Sequence, residues 1–100
     1  MSSNIIRKLA AQDGRVYVYL ADEAIGRLFL EQAEQEGFTF GDSVKPTQRH
    51  WSDLMAVNHD GTINYVGTSG RIAWSNGAKT TGGETLIRVD YRRYLSLGEI

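Results

Sequence analysis

One hundred residues carrying a net charge of −1, with no cysteine and a single proline, amount to one domain that must hold itself together by packing alone. The lack of cysteine excludes disulfides, thiolate metal sites and a thiol nucleophile, and it suits a reducing compartment such as the cytoplasm. Near-neutral charge argues against a nucleic-acid binder, and no apolar run approaches the roughly 20 residues of a membrane span.

The N-terminal residues Met1-Ser2-Ser3-Asn4-Ile5-Ile6-Arg7-Lys8 lack the apolar stretch of a secretory signal. Within residues 1–13, Ile5, Ile6 and Leu9 sit at helical spacing, which predicts a helical turn or a loose arm. Asp13-Gly14 marks a turn. Arg15–Leu20 reads as a strand, with Tyr17 and Tyr19 on one face and Val16, Val18 and Leu20 on the other. Asp22 is placed to cap a helix whose stripe of Ile25, Leu28, Phe29 and Ala33 faces the core, ending at Gly37. Glu23–Arg27 and Arg27–Glu31 have the spacing of favourable pairs along it. Glu34 and Glu36 carry the wrong sign for its C-terminal dipole.

Phe38-Thr39-Phe40 is a short apolar segment, and residues 43–52, which contain Pro46, are the longest irregular stretch. Leu54–Asn58 and Thr62–Val66 flank His59-Asp60-Gly61, a strong hairpin signal. Thr68-Ser69-Gly70 then turns into a third strand, Arg71–Ser75. A glycine-rich loop over 76–84 leads to a last strand, Thr85–Tyr91, and a short helical turn, Arg92–Leu97, before a frayed end. This order predicts an α+β fold, with one main helix packed on a mostly antiparallel sheet of four to five strands, in a single domain spanning residues 1–100.

Charge is polarised along the chain. Residues 22–43 hold Asp22, Glu23, Glu31, Glu34, Glu36 and Asp42 against Arg27, a net of −5. Residues 71–93 hold Arg71, Lys79, Arg88, Arg92 and Arg93 against Glu84 and Asp90, a net of +3.

Little in the chain resembles catalytic apparatus. The two histidines, His50 and His59, fall on different loops, and His59-Asp60 belongs to the hairpin turn, so no metal site is expected. No hydroxyl lies in a nucleophile-elbow pattern. Gly67-Thr68-Ser69-Gly70 and Gly77–Gly83 lack the lysine-serine ending of a phosphate-binding loop and read as connectors. Neither a catalytic residue nor a cofactor is expected. A better signal is the mixture of arginine and aromatic residues at Arg71, Trp74, Arg88, Tyr91, Arg92 and Arg93, joined by His50 and Trp51 in the irregular stretch. Arginine supplies forked donors for phosphate or carboxylate, and aromatic rings supply stacking surface.

Three segments, Glu36–Asp42, His59–Gly67 and Ile87–Tyr91, together resemble small phage and prophage proteins of Gram-positive bacteria. The resemblance spans about residues 15–95 and rests on strand-turn-strand chemistry. Proteins of that kind often antagonise bacterial immunity, some by inhibiting CRISPR effectors and others, such as the Thoeris anti-defence proteins, by sequestering a cyclic nucleotide. The resemblance therefore implies a non-catalytic antagonist whose partner is a bacterial defence protein or a cyclic nucleotide, without carrying over any site residue. A nucleotide sponge of this size needs arginines pocketed at a homo-oligomer interface. A protein inhibitor needs a patch of about 800 Å². A small nucleotide-processing enzyme and a self-associating structural or regulatory phage protein are the alternatives.

Overall fold

The computed structural model describes residues 4–98. Residues 1–3 and the end of the expected frayed terminus, 99–100, lie outside the described residues.

The elements run α1 (Ile5–Ala10), β1 (Arg15–Tyr19), α2 (Glu23–Gln35), β2 (Thr39–Phe40), a 3-10 turn (Pro46–Gln48), β3 (Leu54–Val57), β4 (Thr62–Tyr65), α3 (Thr68–Ser75), β5 (Thr80–Thr81), β6 (Glu84–Asp90) and α4 (Tyr91–Leu97). The fold is α+β, as expected, but richer than one helix on four or five strands. Six strands lie in the order β2-β4-β3-β1-β6-β5. The β3–β4 hairpin forms where the Asp-Gly turn demanded it. Antiparallel pairing also joins β1 to β3 and β5 to β6, whereas β1–β6 and β2–β4 are parallel. The sheet is therefore mixed.

Both faces of the sheet are covered. Val16, Val18, Met55, Val57, Ile63 and Val89 pack beneath α1, α2 and α4, where Phe29 and Tyr91 meet edge to face at 5.3 Å. Tyr17, Leu54, Ala56, Val66 and Leu86 form a smaller cluster on the opposite face, beneath Ala73 and Trp74 of α3. Burial on both sides explains why β1 and β3 carry near-continuous apolar runs.

Residues 71–75, expected as a third meander strand, are helical, and Thr68-Ser69-Gly70 is the first turn of that helix rather than a connector. Gly70, Ala73 and Trp74 share the inward face of α3, while Ile72 is 55% exposed. Gly70 makes the close approach feasible, since a Cβ there would meet Val66 Cγ1 at 2.5 Å and the Tyr17 hydroxyl at 2.7 Å. The glycine-rich loop also contains β5, which hairpins onto β6.

The acidic end of α2 has a structural use. Asn4 gives α1 no side-chain cap. Instead the Glu36 carboxylate accepts hydrogen bonds from the amides of Ile6 (3.0 Å) and Arg7 (2.8 Å) and from the Gln32 amide group (2.6 Å). The Arg7 guanidinium donates to Glu36 O at 2.9 Å, and the Tyr94 hydroxyl donates to Ile5 O at 2.7 Å. Glu34 serves the 3-10 turn in the same way, accepting from the Thr47 amide (3.0 Å) and hydroxyl (2.7 Å). Asp22 caps α2 itself through Ile25 N at 3.0 Å and pairs with Arg92 of α4. Each carboxylate thus sits against the positive end of a helix or turn, where it is favoured.

Glu36→Ala is expected to lower stability by about 1–2 kcal/mol, the usual magnitude of a lost helix cap. Hydrogen exchange should quicken first at the amides of Ile6 and Arg7. Unchanged protection there would show that Glu36 does not hold α1.

Candidate functional site

A groove lies between α2 and the irregular segment 45–51. Pro46, buried at the first position of the 3-10 turn, anchors this segment, and Glu34 fixes it to α2. On the far side, the Tyr65 hydroxyl donates to His50 O at 2.6 Å, and Tyr65 packs on Phe40 at 5.4 Å. The Arg49 guanidinium lies 4.7 Å over the Phe40 ring and pairs with Asp42. These ties present His50 and Trp51 side by side, their rings stacked at 5.8 Å and 21°. His50 Nδ1 is 2.7 Å from Trp51 O, so Nδ1 carries the proton that makes this bond.

Trp51 seats against α2 because residue 26 has no side chain. A Cβ on Gly26 would lie 2.5 Å from Trp51 Cγ and Cδ2. A cavity of about 280 Å³ beside Trp51 is lined by Glu23, Arg27, Leu30, Glu31, Thr47, Arg49, His50 and Trp51. That volume suits one large side chain or a small planar molecule. A neighbouring depression lined by Glu31, Glu34, Gln35 and Thr47 shares Glu31 and Thr47 with it and prolongs the groove along α2. Neither expected α2 pair closes: among the described residues Arg27, Glu23 and Glu31 make no ion pair or hydrogen bond through their side chains.

The eight residues nominated from sequence do not gather in one place. His50 and Trp51 form the groove. Arg71 reaches from α3 to Asp53 Oδ1 (2.8 Å) and Ser52 Oγ (3.0 Å). Arg88 lies beneath α3, donating to the carbonyls of Ala73 (3.1 Å) and Trp74 (3.3 Å), with its guanidinium 5.5 Å from the Trp74 ring. It closes the end of a helix, where a cation is favoured. Tyr91 is 0% exposed, and its hydroxyl is buried without a partner. Burial, assisted by the Glu36 carboxylate, pushes that phenol well above its ordinary range. Arg92 pairs with Asp22, and Arg93 is exposed. Glu23, Arg27, Leu30, Glu31, Thr47 and Arg49 were not nominated. Their only sequence signal was the long irregular stretch around the sole proline, opposite a charged helix face.

Among the described residues no three His, Cys, Asp or Glu side chains converge as metal ligands, and no helix is long and apolar enough to cross a membrane. Comparison with protein-family models, curated proteins and solved structures finds no match.

Gly26→Ala sets overpacking, about 1–3 kcal/mol, against a helix-propensity gain of about 1 kcal/mol. A net loss of stability, with Trp51 fluorescence shifted to the red as the ring moves outward, is expected. A higher melting temperature with unchanged emission would show that the ring does not depend on the missing Cβ.

Three carboxyls sit below their ordinary pKa: Asp53 through the Arg71 hydrogen bond, Asp42 through Arg49, and Glu34 through the Thr47 hydroxyl and amide. A carboxylate whose folded pKa is depressed stabilises the fold fully above its unfolded value of about 4, and that contribution disappears as pH falls through the folded pKa. Stability should therefore hold level from neutrality to about pH 5 and fall in acid. Asp53→Asn should shallow the acid limb of the melting profile. An identical slope would remove Asp53–Arg71 from the linkage.

Proposed function

We propose that this chain is a non-catalytic binding protein that docks onto a partner protein through the groove between α2 and residues 45–51. The groove itself carries this reading. It combines an apolar floor of Leu30 and Trp51, a stacked aromatic pair held by its neighbours, and unpaired charges on the rim. Such a combination, a rigid aromatic anchor ringed by polar groups, is how protein-binding sites concentrate their energy. Arg71, Arg88 and Arg92, which a nucleotide sponge would need, are each engaged with groups of the fold itself. That favours a protein partner over a sequestered cyclic nucleotide. The resemblance of Glu36–Asp42, His59–Gly67 and Ile87–Tyr91 to small phage proteins supplies the class of partner, a bacterial defence protein.

The test is photo-cross-linking in cells whose defence system the chain neutralises. A benzoylphenylalanine at position 27, on the groove, should capture a component of that system, and one at position 72, on α3, should not. Capture from position 72 alone sinks the groove reading. A cyclic nucleotide recovered with the chain in place of any protein sinks the protein-partner reading.

A further inference from the structure

We infer that the groove accepts an extended, basic segment of the partner, five or six residues long, with lysine or arginine side chains alternating with apolar ones. This rests on the reading of the groove as the docking site and adds the chemistry of its occupant.

Length comes from α2. The walls run from Glu23 to Gln35, about 18 Å at the helical rise, which an extended chain covers in five or six residues. Sign comes from the rim. Glu23, Glu31 and Glu34 face the groove from α2 with only Arg27 between them. Arg49, on the other wall, is already paired with Asp42. Lys45 lies outside the lining, although its charge helps to hold the Glu34 carboxyl down. Glu34 remains anionic while accepting from Thr47, so three carboxylates stand against one uncompensated guanidinium.

The arrangement also disfavours the helix that carries it. Glu31 and Glu34 are like charges one turn apart, and both lie toward the negative end of the α2 dipole. Glu34 is offset by the turn it caps, but Glu31 has no partner within the described residues. A cationic segment would supply that missing partner. Its apolar side chains would lie along Leu30 and Trp51 while the basic ones reach the carboxylates of the rim. Alternation in an extended segment would send every second side chain to this floor.

The test uses the intact chain and three fluorescein-labelled hexapeptides with leucine at every second position: Arg-Leu-Lys-Leu-Arg-Leu, its acidic counterpart Glu-Leu-Asp-Leu-Glu-Leu, and the neutral Ser-Leu-Asn-Leu-Ser-Leu. Anisotropy reports affinity, and the indole N–H resonance of Trp51 reports place. The basic peptide should bind and shift the Trp51 resonance, and weaken as salt is raised toward about 0.5 M. The double variant Glu23→Gln/Glu31→Gln, which removes no bond of the fold, should weaken it about tenfold, and Arg27→Gln should tighten it. A double variant that binds as well as the parent overturns the inference. So does preferential binding of the acidic or neutral peptide at Trp51, although the groove would then still stand as a docking site. If no peptide moves the Trp51 resonance the inference also fails, and the cross-link at position 27 decides the docking reading separately.

Discussion

A six-residue helix has more unpaired amides than it can satisfy from its own side chains, and α1 has no capping group at Asn4. The Glu36 carboxylate, arriving from the end of α2, supplies what is missing by accepting from two of those amides at once. Ile6 and Leu9 are thereby held in the core, where both are fully buried. Glu34, half a turn earlier, performs the same service for the turn that begins at Pro46. The C-terminal end of α2 is electrostatically unfavourable for two acidic groups when it is considered alone. Considered with its neighbours, it is where two other elements are fastened, and each carboxylate meets a positive backbone end.

α2 consequently has three duties around its circumference. Ile25, Phe29, Leu30 and Ala33 face the sheet, Glu34 and Glu36 reach neighbouring elements, and Glu23, Arg27, Leu30 and Glu31 form one wall of the groove. Gly26 is where the first and last of these duties meet, because the absence of a side chain there lets Trp51 lie against the helix. The groove is therefore not an accident of loop packing. It is set by a capped turn, a buried proline and a Tyr65 hydrogen bond on one side, and by a helix fixed at both ends on the other.

The basic half of the chain illustrates how charge in sequence differs from charge available at a surface. Arg88 lies beneath α3 and closes it, Arg92 ties the start of α2 to α4, and Arg71 joins α3 to the entry of β3. These three guanidinium groups connect elements distant in the chain. The polarity of net charge between residues 22–43 and 71–93 is real in the sequence, but part of it is internal pairing between those two stretches.

Local chemistry was enough to read β1 with its two faces, the Asp22-capped α2 and the β3–β4 hairpin. Each depends on neighbours within a few residues: alternation, a cap three positions away, an Asp-Gly turn. The parallel pairings of β1 with β6 and β2 with β4, the helical state of residues 68–75 and the composition of the groove were not readable. Residues 68–75 form a helix that packs with Gly70 close against Val66 and Tyr17, contacts that lie outside the segment itself. Arg27, flanked by glutamates at helical spacing, looked satisfied until the side chains proved to be unpaired. Periodicity, turns and caps were legible because they are set by short-range sterics and hydrogen bonding. Which charges pair and which face a groove was not legible, because that depends on residues far apart in the chain meeting in space.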